Sequence, residues 1–472
     1  MKQRRGSIIF FTALVLVFGL AAGLAIDWGE STPDPGRNLA GERIHLDHSA
    51  FFEAPFASGQ DVTRACLQCH ADAAREVMGT AHWRWLGDEV ENPRTGERMA
   101  VGKRNLINNF CIGIQGNEAS CTRCHAGYGW EDDGFDFTDE TAVDCLACHD
   151  RSGQYLKGAG GWPREGVDLL AAAQSVGYPL RTNCGTCHHY GGGGLGVKHG
   201  DLDSTLDNPH ETDDVHMGRE GMLCIDCHGG KNHNIRGKAY SVSVNHQNGI
   251  GCTDCHDGAP HKDDRLNRHT ARVACQTCHI PTYARTVPTK TRWDWSKAGD
   301  DTRPDDVHSY LKIKGEFTYE RDVVPEYRWF DLTADRYLVG DPTATDGPTA
   351  INRPRGTRGS PGAKIWPFKI HRAEQPYDAV NGYLIVPITS GAGGYWKEFD
   401  WGKAIRLGAA RAGLDYSGQY GFAETEMYWP LSHMVTTADR ALRCADCHGA
   451  DGRMVWKALG YDGDPMRTEG AR

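Results

Sequence analysis

Positive charge is in short supply in this chain. Its 52 lysines and arginines stand against 62 aspartates and glutamates, for a net charge of −10 over 472 residues. A chain this acidic is a poor match for nucleic acid. Apolar residues are scarce as well, at 39%. Helical patterning is thin, and "VDLLAAAQSV", Val167 to Val176, is the clearest short amphipathic stretch. Long apolar runs are missing beyond residue 26. A soluble protein of this length would usually form two or more domains, each with its own core. Here something other than side chains has to fill the interior.

Cysteine is what the chain has in quantity. Sixteen of its 17 cysteines form eight C-x-x-C pairs, each followed at once by histidine. Motif 1 is Cys66, Cys69 and His70; motif 2 is Cys121, Cys124 and His125; motif 3 is Cys145, Cys148 and His149; motif 4 is Cys184, Cys187 and His188. Motif 5 is Cys224, Cys227 and His228; motif 6 is Cys252, Cys255 and His256; motif 7 is Cys275, Cys278 and His279; motif 8 is Cys444, Cys447 and His448. C-x-x-C-H is the attachment signature of c-type haem. The two thiols add to the haem vinyl groups as thioethers, and the histidine reaches the iron as proximal ligand. Zinc sites would not need a histidine after every pair. Neither disulfides nor a thioredoxin-like redox pair explain it. The chain reads as an octahaem cytochrome c with eight covalently bound haems.

That reading resolves the missing core. Seven motifs crowd between Cys66 and His279, which leaves each haem about thirty residues, too few for an ordinary core. The haems are the apolar filling. The expected fold is a multihaem cytochrome c, mainly short α-helices and loops wrapped around eight haems with little β-structure. The 58 glycines suit close approach of backbone to haem.

The organisation follows from the motif positions. Residues 1–26 combine a basic "MKQRR" with the uncharged run Ile8 to Ile26, and read as a signal peptide or an N-terminal membrane anchor, the anchor slightly favoured. Either way the haem domain is exported, which places it in the periplasm. Residues 27–44 are a Pro/Gly-rich linker. Residues 45–288 form a compact seven-haem region. Residues 289–443 are haem-poor and read as covering loops with a helix or two. Residues 444–472 hold the last haem and a tail.

Eight proximal histidines leave fourteen of the 22 for the opposite face of each iron. His216, His246, His269 and His433 stand six to fifteen residues ahead of a motif, where a ligand for a neighbouring haem often lies. His48, His82 and one of His199, His233 or His261 complete the candidates, with His199 taken as the first choice.

"NLINNFCIGI…CTRCHAGYGW", "DCLACHDRSGQYLK" and "KIWPFKIHRAEQPYD" together resemble the octahaem tetrathionate reductase family of periplasmic multihaem cytochromes. That family is similar in haem arrangement to hydroxylamine oxidoreductase and pentahaem nitrite reductase. The resemblance runs from about His48 to His448. It implies one active-site haem with lysine as distal ligand and a cysteine and an asparagine beside it. Carried onto this chain, the unpaired Cys111 matches the cysteine, Asn108 the asparagine, Lys157 the lysine, and Asp150 an acidic neighbour. Motif 2 would then carry the catalytic haem. All eight motifs keep histidine, so any lysine must come from the distal side.

The implied chemistry is coherent. A deprotonated lysine amine is a weak ligand that can leave the iron to substrate. A thiolate at Cys111 can attack a sulfur–sulfur bond as in thiol–disulfide exchange. Lys103 and Arg104 are placed to lower that thiol's pKa and to attract a dianion. The leading expectation is therefore a terminal reductase of tetrathionate, with nitrite or hydroxylamine as further substrates, fed by a donor cytochrome or a quinol dehydrogenase. The rival is a membrane-associated electron conduit with every haem bis-histidine. A hydroxylamine-oxidising type ranks last, because nothing marks Tyr128 or Tyr155 as cross-linked to haem.

Overall fold

A C-x-x-C-H motif needs only one turn of helix, because residues three and four apart share a face. Half of the motifs use just that. Leu146–His149, Cys224–His228, Cys275–His279 and Cys444–Cys447 are helices of four or five residues. The structure, a computed structural model, describes residues 45–87, 89–92, 95–107 and 113–468. The N-terminal segment and linker, Asn108 and Cys111 lie outside the described residues. No helix among the described residues is long and apolar enough to cross a membrane.

Among the longer helices of the seven-haem region, three bear on the site. Helix α1, Gly59–Leu67, carries Cys66 and starts at Ser58, whose hydroxyl accepts the Asp61 N–H. Helix α2, Leu169–Gln174, lies within the predicted amphipathic stretch. Asp168 caps it, and Ala172 and Ala173 pack on Val62, Tyr128, Leu146 and Tyr155. Helix α3, Arg181–His188, carries all of motif 4. The only strands described ahead of residue 289 are the short pair Glu89–Glu91 and Arg98–Ala100.

The haem-poor stretch differs from the expected loops. It is built on an eight-stranded sheet. The strands are β1 Thr289–Asp294, β2 Tyr310–Leu311, β3 Gly315–Glu320, β4 Glu326–Phe330, β5 Thr349–Ala350, β6 Lys364–Asp378, β7 Tyr383–Leu384 and β8 Tyr420–Pro430. The order is β2-β3-β1-β6-β8-β5, with β4 and β7 also pairing with β6. The centre is the antiparallel pair β6–β8, in register from Phe368↔Pro430 to Asp378↔Tyr420. Strand β6 is buried along most of its length, as befits a central strand covered on both faces. Helix α4, Trp401–Arg411, packs on this sheet. Trp293, Trp295, Tyr395, Trp401 and Trp429 lie in the largest side-chain core among the described residues. Tyr395 and Trp401 stack at 3.7 Å.

The sheet also holds the motifs. Thr277, inside motif 7, donates to Ile365 O on β6 at 2.8 Å. Buried Asn117 spans the gap ahead of motif 2. Its amide nitrogen donates to Pro387 O at 3.1 Å, and its amide oxygen accepts both Thr389 N and Thr389 Oγ1 at 2.7 Å.

Candidate haem centres and the one that differs

A ligating imidazole nitrogen sits about 2 Å from its metal, so two imidazoles on opposite sides of one iron put their ring centroids about 6 Å apart. Seven motif histidines have a second histidine at that spacing. The pairs are His70–His48 at 6.2 Å, His188–His82 at 6.1 Å, His149–His233 at 6.3 Å and His256–His216 at 6.0 Å. The others are His228–His433 at 6.3 Å, His279–His261 at 6.2 Å and His448–His269 at 6.4 Å. No hydrogen bond draws these rings to such a distance. An iron between them does, so the residues present fit haem.

The ring nitrogens agree. His149 Nδ1 meets Gly177 O at 2.9 Å, His228 Nδ1 meets Arg236 O at 2.7 Å, and His269 Nδ1 meets Arg265 O at 2.8 Å. His448 Nδ1 meets Asp464 at 2.6 Å, His233 Nδ1 meets Glu76 at 2.8 Å, and His433 Nδ1 lies 3.4 Å from Asp201. The five hydrogen-bonded partners fix the tautomer and would aim Nε2 at a metal. Burial holds His82, His149, His188 and His228 below the usual histidine range, which keeps them neutral and able to ligate.

Motif 2 is the exception. No described histidine ring faces His125. Trp83, Trp85, Trp130, Phe135 and Phe137 surround it instead, at 4.9 to 6.1 Å. Burial pushes its pKa down to about 3. The same aromatic cluster packs on Cys121 and Cys124. On its outside, Lys103 Nζ lies 3.8 Å over the Trp85 ring and Arg104 lies 4.1 Å over Phe137. Arg123 contacts the Cys124 thiol, which also lies in the field of Lys103. No ion pair to Lys103, Arg104 or Arg123 is found among the described residues.

The other expected residues fall in two groups. His48, His82, His216, His269 and His433 face motif histidines. His199 and His246 do not: His199 packs edge-on to Trp429 at 4.9 Å and His246 stacks on Tyr240 at 5.8 Å. His233 and His261 take the places assigned to them. His261 was an open alternative in the sequence, and so was His233. His233 joins motif 3 from 84 residues downstream, whereas His261 stands 14 residues ahead of the motif it faces.

Lys157 lies beside motif 2, where the resemblance puts it. Its ammonium lies 2.6 Å from Asp144 Oδ2 and donates to His125 O at 2.5 Å and Gly127 O at 3.1 Å. An ammonium has three hydrogens and no lone pair, and here all three have acceptors. In this arrangement the side chain is a strut under motif 2. Tyr128 and Tyr155 each donate to Asp144 at 2.9 Å, so both hydroxyls serve that carboxylate. Asp150 orders the loop after motif 3 by accepting from Ser152, Gly153 and Ser175. It lines one cavity with Lys157, Tyr155, Asn183 and Cys187.

Thiols of different motifs adjoin. Cys66 contacts Cys145, Cys124 contacts Cys187, Cys184 contacts Cys224, and Cys252 contacts Cys275. Cys148 lies in the field of Cys184 and Cys187, Cys227 in that of Cys255, and Cys278 in that of Cys444. The motifs thus run in the spatial order 1-3-4-5-6-7-8, with motif 2 branching from motif 4.

The chain is similar to known proteins in three ways. A family model described as "Cytochrome c bacterial" matches residues 290–451. An uncharacterised protein of Archaeoglobus fulgidus is 25% identical over 279 residues, 48% of this chain and 90% of the relative. The crystal structure of octaheme cytochrome c from Shewanella oneidensis superposes with a TM-score of 0.84 at 46% identity, covering 90% of this chain and 99% of that one. With nearly the whole of that octahaem protein matched at this identity, the chain belongs to the octahaem c-type cytochromes of the octahaem tetrathionate reductase family.

Proposed function

We propose that this is an exported terminal reductase in which motif 2 carries the substrate site and the other seven motifs carry electrons to it. The observation that supports the reading most is the asymmetry at the irons. Seven motif histidines face a second histidine, and His125 faces none among the described residues. Cys121, Cys124 and His125 would hold the motif 2 haem once His125 Nε2 leaves Trp83 O, and the haems would supply one-electron carriers and, at motif 2, a substrate-binding metal. A pure conduit has no use for one site that differs.

The residues around motif 2 suit an anionic substrate with a sulfur–sulfur bond. Lys103, Arg104 and Arg123 attract the dianion. The Cys111 thiolate attacks one sulfur of tetrathionate and displaces thiosulfate, leaving a mixed sulfur–sulfur bond to the cysteine. Two electrons split that bond, returning the thiolate and a second thiosulfate. Asn108, three residues before Cys111, orients the anion. Nitrite and hydroxylamine are small enough to use the same position. The electron donor is a smaller cytochrome or a quinol dehydrogenase on the periplasmic side of the membrane.

Low-temperature EPR of the oxidised holoprotein tests this, with and without tetrathionate or nitrite. One component distinct from bis-histidine haem, shifted by substrate, is expected. Eight components indifferent to both anions would make the protein a conduit.

A further inference from the structure

The seven histidine pairs are not equivalent, and the differences follow the wire. A carboxylate behind a ligating imidazole makes it a more basic ligand and favours the oxidised iron; a carbonyl does so less. The motif 3 pair has Glu76 on His233 at 2.8 Å. The motif 5 pair has Asp201 at 3.4 Å from His433, with the carboxylate almost fully buried. The motif 8 pair has Asp464 on His448 at 2.6 Å. The motif 6 pair has Asp214 at 3.8 Å from His216. The motif 1 and motif 7 pairs have only neutral partners, Leu46 O on His48 and Asn267 on His261.

The motif 4 pair has neither kind. Neither ring of His82 or His188 meets a protein hydrogen-bond partner among the described residues. Asp207, beside that helix, lies 3.3 Å from the adjacent His189. Motif 4 is also the branch point. Its thiols adjoin those of motifs 2, 3 and 5. Two of those three neighbours, motifs 3 and 5, carry a carboxylate-backed ligand. The third, motif 2, lies in the field of Lys157, Lys103 and Arg104, which favours the reduced state.

We propose that the His82–His188 site is the highest-potential of the seven histidine pairs and serves as the collecting point from which electrons pass to motif 2. Glu76 and Asp201 are positioning residues that lower the potentials of the sites directly upstream. One electron moves at a time, lost at motif 3 or motif 5 and gained at motif 4, with no proton or group transferred. Its source is an external one-electron donor. The last step of either arm is thereby downhill, and return flow is opposed. The inference rests on the reductase reading for its direction, but the order of potentials does not.

The test is a redox titration of the substrate-free holoprotein followed by EPR and magnetic circular dichroism. His82→Met marks one haem by its methionine-to-iron band. The wild-type component that disappears in that variant is expected among the first reduced. Glu76→Gln and Asp201→Asn are each expected to move one late-reduced component upward and leave the early ones in place. A marked haem that replaces a late-reduced component overturns the proposal. So do carboxylate variants that titrate like wild type. Should His82→Met fail to retain eight haems, the two carboxylate variants decide alone. Because substrate is absent, failure here is separate from failure of the reductase reading, which the anion-dependent EPR decides.

Discussion

The Lys157 ammonium lies 2.6 Å from the Asp144 carboxylate, both almost wholly buried, and its other hydrogens hold the carbonyls of His125 and Gly127. This ties the end of motif 2 to the residue that opens motif 3. Removing one partner of a buried pair strands the other charge, at a cost of about 3–5 kcal/mol. Lys157→Met is therefore expected to lower the thermal midpoint sharply while the EPR components of the folded fraction stay as in wild type. Asp144→Asn in the same chain restores part of the loss. A variant of normal stability with one altered haem component would instead make Lys157 a ligand.

The histidine pairs lead to a sharp contrast among variants. His233→Ala and His261→Ala should each convert one low-spin component to high spin with eight haems retained. His199→Ala and His246→Ala should convert none, because these rings lie against Trp429 and Tyr240. Counting high-spin haems by EPR checks all four. A high-spin haem in His246→Ala would move the motif 6 or motif 7 assignment.

The haem motifs are legible in the sequence because thioether attachment demands contiguous residues. Axial partners are less so. His216, His269 and His433 stand a few residues ahead of a motif and spacing found them, although the histidines they face, His256, His448 and His228, belong to other motifs. His233 reaches motif 3 from 84 residues downstream, and no periodicity connects the two. The sheet was hidden by its own composition. Pro367 and Pro376 both sit inside β6, and proline in a run argues against a central strand. The strand survives because Pro367 and Pro376 fall among long antiparallel partners, opposite Tyr327 on β4 and Phe422 on β8. What marks motif 2 as different is a missing partner, and an absence of that kind shows only once the other seven are paired.

Cys111→Ala separates the two chemistries ascribed to the motif 2 site. If the thiolate opens the sulfur–sulfur bond, tetrathionate reduction should fall by at least about 100-fold, the scale of losing a positioned reacting group. Nitrite reduction, which needs no such bond broken, should change little. Parallel kinetics on the two substrates give the answer. Equal losses would make Cys111 a packing residue, as small buried cysteines often are.

Lys103, Arg104 and Arg123 are cations without ion pairs among the described residues, gathered beside motif 2 on a chain of net charge −10. Unpaired cations at a cleft raise the local concentration of anions and speed their capture, by about 10-fold or more at low salt. The double variant Lys103→Gln, Arg104→Gln should lose about that much kcat/KM for tetrathionate and for nitrite. Hydroxylamine, uncharged at mildly alkaline pH, should keep its value. The wild-type advantage for the anions should also shrink as salt rises, because the Debye length is about 8 Å at physiological ionic strength. The two cations have a second duty, since each covers an aromatic ring of the His125 box. A variant that loses activity equally toward charged and uncharged substrates, with no change in salt dependence, would show that this packing is their whole role and that the anion finds motif 2 unaided.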